Sequence, residues 1–425
     1  MWEMFRKISK LPDLRRRIIF TISLLVVFRF LANVPMPGVN VEELKTFFDN
    51  NQFFGLMNMF TGGAMKNFSL AMMGVGPYIT SSIIFQLLTM VVPSLENLSK
   101  EGESGKQKIN YYTRILTVPL AIVQSYAMIF MLKNQGLVIN SQGFDLLTMI
   151  ISLTAGTMFV MWLGELISEN GIGNGISLII TIGIIAAIPS EIIQTIYGKD
   201  LTDISQLFNL IIFGILAIVI TAVIVWFNYS ERQIPITYAR RAKGNSSYGA
   251  VDTFLPIRIT MAGVIPIIFA MSIMIFPGVA SKFFAQARSQ TLVHIANWTE
   301  NIFNNHTFYA IAYFLIVIIF TFFYTSVIFH PNEVAENLQK RGGFIPGLRP
   351  GKETQDFLST VISRTTLIGA LFLGIIAVLP YVIPTLTDVS TMALGGTGIL
   401  IVVSVILDTL RQIKSQILMR NYDNY

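Results

Sequence analysis

The residues able to do chemistry are few, and they do not converge. The 425-residue chain has no cysteine, so neither a disulfide nor a thiol nucleophile is available. Its three histidines, His294, His306 and His330, fall in loops or at the end of an apolar run, too scattered for a metal-ligand set. No serine–histidine arrangement suggests hydrolysis. The glycine-rich GIGNGIS at 171–177 would cradle a phosphate only between a strand and a helix. Here it joins two apolar runs and reads as a tight turn. Arg29, Glu165 and Asp408 are the main ionisable residues within apolar runs, and the two acids lie near run ends. Charged groups at mid-membrane depth mark ion or proton pathways. With no carboxylate pair or histidine relay there, a proton- or sodium-coupled transporter has nothing to couple through. The inventory supports neither hydrolytic or metal chemistry nor an ion-coupled transporter.

The elements that would position such residues are membrane spans. Hydrophobic residues make up 53% of the chain and charged residues 13%, with mean hydropathy +0.63. Soluble domains carry about 25% charged residues, so the bilayer must be the main solvent. A spanning helix needs about 20 apolar residues. Ten runs qualify, roughly 18–35, 72–92, 114–132, 146–167, 175–190, 208–228, 259–278, 309–329, 361–380 and 394–411. The basic start, MWEMFRKISKLPDLRRR, has no small-residue cleavage site after it. It reads as an amphipathic lead-in to a retained first span rather than a signal peptide.

Of the 30 lysines and arginines, 23 fall at the N-terminus, in the alternate loops 93–114, 230–258 and 331–364, and at the C-terminus. Six fall on the opposite side, and Arg29 lies within a span. Basic loops stay cytoplasmic, so both termini are expected inside and the span count is even. Ten spans divide into five and five around the segment 190–207, which puts the halves in opposite orientation. That is the arithmetic of an inverted repeat. The long basic loops 230–258 and 331–360 carry turn chemistry (ARRAKGNSSYG; KRGGFIPGLRPGKE) and read equally as a channel mouth or docking surface and as charges that only set topology.

One segment is too short to span. FTGGAMKNFS, residues 60–69, stands directly before the second run and is neither a full span nor an ordinary polar loop. Isoleucines recur one helical turn apart, Ile79 with Ile83 and Ile180 with Ile184, and such pairs share a helix face. A lone pair reads as packing or lipid contact. A ring of them at mid-depth would make a dry constriction that gates by dewetting.

Seven blocks carry a family likeness: GGAM (62–65), MGVGPYITSSIIFQLL (73–88), KEGESGKQKI (100–109), NGIGNGISLII (170–180), MAGVIPIIFA (261–270), GFIPGLRPGKET (343–354) and GGTGILIVVSVILDT (395–409). Together with VFRF (27–30), they closely resemble the SecY family, the pore subunits of the bacterial protein-conducting channel. The resemblance runs in order through all ten runs. It implies an all-α membrane protein: ten transmembrane helices in two pseudo-symmetric inverted halves of five, residues 1–190 and 191–425, with a short re-entrant plug helix at about 57–70.

The resemblance also implies roles. The half-length segment, Phe60, Thr61, Gly62, Gly63, Ala64, Met65, Lys66, Asn67, Phe68 and Ser69, would be the plug that seals the pore from outside. The constriction ring would be Val75, Ile79, Ile180, Ile184, Ile268 and Ile401. A lateral gate between spans two and seven would draw on Thr80, Ser81, Ser82, Ile83 and Gln86, with Gln124 beside them on span three. Arg240, Arg241, Lys243 and Arg349 would dock the SecA motor ATPase and the ribosome, whose RNA is a polyanion. Implied partners are SecE-like and SecG-like small membrane subunits, signal peptides, nascent chains and membrane lipids. No cofactor or metal is implied. The expected location is the bacterial plasma membrane, and the expected work is translocation of unfolded secretory proteins with sideways release of membrane helices.

Overall fold

The computed structural model describes residues 11–36, 43–44, 58, 61–137, 143–197, 204–238, 252–284, 290–387 and 396–422. In chain order the helices are α1 (Pro12–Ala32), α2 (Gly76–Val91), α3 (Pro93–Lys100), α4 (Glu103–Asn134), α5 (Phe144–Asn170), α6 (Gly175–Tyr197) and α7 (Ile204–Tyr229). Strands β1 (Glu231–Tyr238) and β2 (Asp252–Arg258) follow, then α8 (Ile265–Phe284), α9 (Gln290–Asn304), α10 (His306–Ile328) and α11 (Pro331–Lys340). The chain continues through β3 (Gly343–Phe344), α12 (Lys352–Thr387) and α13 (Gly396–Tyr422).

Each of the ten apolar runs falls on a helix. By length and composition six of these can cross a membrane, or up to seven if the bent pair α2–α3 counts as one span. The apolar parts of α6 and α8 are shorter, Gly175–Ser190 and Ile265–Met274. The α2–α3 bend of 101° has a local cause. Val92 is extended before Pro93, whose ring disfavours a helical conformation in the preceding residue. Large apolar side chains on the outer faces remain exposed, among them Ile218 and Trp226 on α7 and Ile319 on α10. Exposed apolar surface on this scale needs lipid. Many span hydroxyls are satisfied within their own helices, as where Thr321 Oγ1 donates to the Val317 carbonyl at 2.7 Å.

The two acids flagged in spans are structural partners. Arg114 on α4 donates to Glu165 on α5 at 2.6 Å, tying those helices together. Asp408 lies 3.3 Å from Arg411 and 3.6 Å from Arg258. Arg411 also donates to the Asn228 carbonyl at 2.5 Å, and Asn228 Nδ2 donates to Ser404 Oγ at 3.2 Å, joining α7 to α13. The GIGNGIS stretch is the tight turn expected. Gly173 takes φ +84°, and Asn174 Oδ1 caps α6 by accepting from the Ser177 amide at 3.1 Å.

The basic loops depart from a purely helical reading. Strands β1 and β2 pair antiparallel, and β3 adds to β1 in the order β2-β1-β3, with Tyr238 opposite Gly343. Ile234 and Ile257 face a small core with Ala335, Ile345, Leu358 and Val361. The two loops are therefore one folded unit. Turn residues dominate their sequence, but β1 alternates polar residues with Ile234 and Ile236, the period of a half-buried strand.

Helices α5 and α6 approach closely through glycine. A Cβ on Gly175 would stand 1.9 Å from the Gly164 carbonyl oxygen. Gly175→Ala is therefore expected to wedge the two helices apart, at about 1–3 kcal/mol. It should lower the thermal unfolding midpoint of the purified protein. Gly214→Ala on α7, where nothing lies within 4 Å, should leave the midpoint unchanged or slightly higher.

Candidate functional site: an apolar constriction and the segment seated on it

Residues 61–75, between α1 and α2, are a run of turns in the heart of the helical assembly. A helix was expected over part of this stretch. Glycine explains the difference, because Gly62, Gly63 and Gly74 adopt φ of +70°, +82° and +52°. The remainder of the expected plug helix, including Phe60 and excepting Asn58, lies outside the described residues.

Irregular backbone at membrane depth must find its hydrogen bonds in protein. The end of α1 supplies them. The Arg29 guanidinium donates to the Gly62 carbonyl. The Met36 amide donates to the Phe68 carbonyl at 2.9 Å, and the Leu70 amide to the Val34 carbonyl at 3.4 Å. Asn67 Nδ2 donates to Asn33 Oδ1 at 3.2 Å. The arrangement gives Arg29, an intramembrane cation, a defined task. The sequence marked it as costly but assigned it no site; its need for a partner was the available signal.

Two close approaches seat the segment, and sequence reasoning named neither. A Cβ on Gly156 of α5 would stand 1.9 Å from the Leu70 carbonyl oxygen, and one on Gly62 would stand 2.8 Å from the Gly183 Cα of α6. Ala64, Met65, Phe68, Ser69, Ala71 and Met72 are fully buried. The Ser69 hydroxyl, and that of Ser125 on α4, are buried without a hydrogen-bond partner. Lys66 and Asn67 remain partly exposed.

The six residues of the expected ring all belong to one apolar cluster. Val75, Ile180, Ile184 and Ile401 are buried in it, with Ile79 and Ile268 packed against it. Ala64 and Ala71 of the seated segment join the same cluster. Elements from both halves of the chain thus contribute to one extended apolar core, which Ala64, Ala71 and Val75 join.

The expected gate residues separate into two groups. Ile83 is buried with Ala262, Phe269 and Tyr324, at the seam of α2 with α8 and α10. Ser81 faces the other way: its hydroxyl donates to the Thr113 carbonyl of α4 at 2.7 Å. Thr80 bonds its own helix at Gly76, 3.1 Å away. Gln86 Nε2 donates to Ser82 at 3.4 Å, while its Oε1 is buried unpaired. Gln124 is half-buried on α4. Arg349 is exposed at a loop tip turned by Gly347 and Gly351, at φ +87° and +110°. Its amide donates to Glu353 at 3.1 Å and its carbonyl accepts from Thr354 at 2.9 Å, so the tip is held against the start of α12. Arg240, Arg241 and Lys243 lie outside the described residues.

The sequence model of the SecY family matches residues 69–410. The protein translocase subunit SecY of Streptomyces scabiei is 39% identical over 436 residues, covering 99% of both chains. That of Halalkalibacterium halodurans is 42% identical over 435 residues, covering 99% of this chain and 100% of its own. Among solved structures, a protein-conducting channel shares the fold with TM-score 0.62 at 19% identity, over 94% of this chain and 91% of that one. A SecY structure described by its plug domain, said to stabilise the closed state and maintain a membrane seal, gives TM-score 0.62 at 18% identity over the same shares.

If Arg29 holds the seated segment, Arg29→Leu should free it. Hydrogen exchange at the Gly63 and Leu70 amides is expected to quicken by about tenfold, the equivalent of about 1.4 kcal/mol from one charge-assisted bond. Unchanged exchange would show that the cradle holds without the arginine.

Proposed function

The chain belongs to the SecY family, multi-pass membrane channel subunits of the protein translocase, and from that premise we propose how its residues do this work. Unfolded secretory chains pass between the halves 1–190 and 191–425, through the ring of Val75, Ile79, Ile180, Ile184, Ile268 and Ile401. The observation that carries this reading is the union of these six residues with Ala64 and Ala71 in one apolar cluster. A constriction lined only by hydrocarbon resists wetting, so ions cross it poorly, while branched side chains can part around a peptide. Residues 61–69 act as the plug. Their cradle at the outer end of α1 makes Arg29 the latch.

The lateral gate lies between α2 and α8. Its seam is apolar around Ile83, and the buried, unpaired Gln86 Oε1 weakens it further. Ser81 ties α2 to α4, so in this reading those helices move together when the gate opens, releasing membrane segments sideways. Both termini are cytoplasmic, in a bacterial plasma membrane. The folded unit of β1–β3, α11 and the start of α12 faces the cytoplasm and receives the motor ATPase or the ribosome. Arg349, with Arg240, Arg241 and Lys243, supplies the cations. SecE-like and SecG-like subunits complete the complex, and energy comes from the partners rather than from this chain.

Two outcomes test the reading. Ile401→Asn should wet the constriction, raise resting conductance and improve export of precursors with defective signal sequences. Parental behaviour in both assays would remove the ring. Arg349→Glu should abolish motor-driven export into proteoliposomes, while Arg349→Lys, which loses the planar fork, should impair it. Both variants should insert and assemble normally. Full activity of the glutamate variant would make this arginine ordinary surface.

A further inference from the structure

The seat of residues 61–75 is unusually rich in methionine. Met65, Met72 and Met73 of the segment, Met36 beyond α1, Met128 on α4 and Met149 on α5 are all buried in a single cluster. Five of the six are no more than 6% exposed, and Met73 is 8% exposed. Leucine would fill the same volume with better-defined rotamers. The thioether is unbranched and adaptable, and it suits surfaces that must part and repack. It also brings a liability. Oxidation to the sulfoxide turns an apolar side chain into a polar one and disrupts methionine-rich interfaces.

We propose that this cluster is a state-dependent oxidation site: closed, it is shielded, and open, it takes an oxygen atom that prevents the segment from reseating. This rests on the plug reading above. The oxidant is an electrophilic chlorinating agent such as a chloramine. The methionine sulfur attacks the chlorine, the amine leaves with a proton from water, and water oxygen then displaces chloride. The products are sulfoxide, amine and hydrochloric acid. Sulfur loses two electrons and chlorine gains them. Four of the six, Met65, Met72, Met128 and Met149, sit on both sides of the contact, so one modified face suffices to spoil it.

The test uses the assembled channel in nanodiscs, at rest or jammed with an arrested precursor, treated with the anionic reagent N-chlorotaurine. Peptide mass mapping should find sulfoxide at these four positions forming at least about tenfold faster in the jammed channel, if the open state is a minority of about 10% or less at rest. Met419, which is 66% exposed, should react equally in both. In planar bilayers, the oxidised channel freed of precursor should conduct more at rest than the untreated one. Paired reductases for the two sulfoxide epimers should reverse this. The quadruple Met→Leu variant should be indifferent to the reagent; if it does not fold, the mapping and the reductase reversal still decide. Equal oxidation in the two states, or parental conductance after oxidation, overturns the proposal. A channel lacking residues 61–69 that conducts like the parent at rest would instead remove the plug reading itself.

Discussion

The hydrocarbon core of a bilayer offers no hydrogen bonds, and the rest of this structure depends on that constraint. Helices answer it by pairing their own backbone groups. Residues 61–75 cannot, because their glycines turn the chain too sharply for a helix. They are tolerated where Arg29, Asn33, Val34 and Met36 satisfy their backbone and side-chain polar groups and where glycines of α5 and α6 admit their backbone. An irregular segment that only one enclosure can satisfy is bound to that enclosure. This gives the segment a definite seat, the feature on which its proposed role as a closure rests.

The seated segment also carries local costs. The buried Ser69 hydroxyl has no partner, and Phe68 adopts φ +43°, a conformation that costs a non-glycine residue about 1–2 kcal/mol. An unpaired buried hydroxyl costs about 1–3 kcal/mol. These penalties oppose the bonds from α1 and the methionine packing, which under the proposed plug role would let the segment leave its seat. Helix α2 carries a comparable mixture, an apolar contact with α8 at Ile83 and, one turn along, a buried unpaired Gln86 oxygen.

Much of this was legible in the sequence. Each of the ten apolar runs overlaps a helix, because hydropathy reports the solvent directly, though only six of these helices, or seven with the bent pair, are long and apolar enough to cross a membrane. The ring residues could be named only through family likeness; isoleucine pairs alone do not say which face meets which. That limit shows in Ser81, grouped with the gate residues but turned toward α4, since a hydroxyl's direction depends on the neighbouring helix and not on its own spacing. The three-stranded sheet was missed because the turn and basic residues around it are conspicuous, although the alternation around Ile234 and Ile236 was present. The glycine seat at Gly156 was invisible, because a close approach leaves no trace in the spacing of one helix.

The central claim is that the path of a translocating chain runs through the dry centre formed by α2, α6, α8 and α13. The direct measurement is photocrosslinking of a secretory precursor arrested in transit, with the probe at Ile184 or Ile401, and at the lipid-facing Ile218, which is 72% exposed, as the control. The account expects adducts to the precursor from the two central positions and none from Ile218. Adducts from Ile218 with silence at the centre would contradict it.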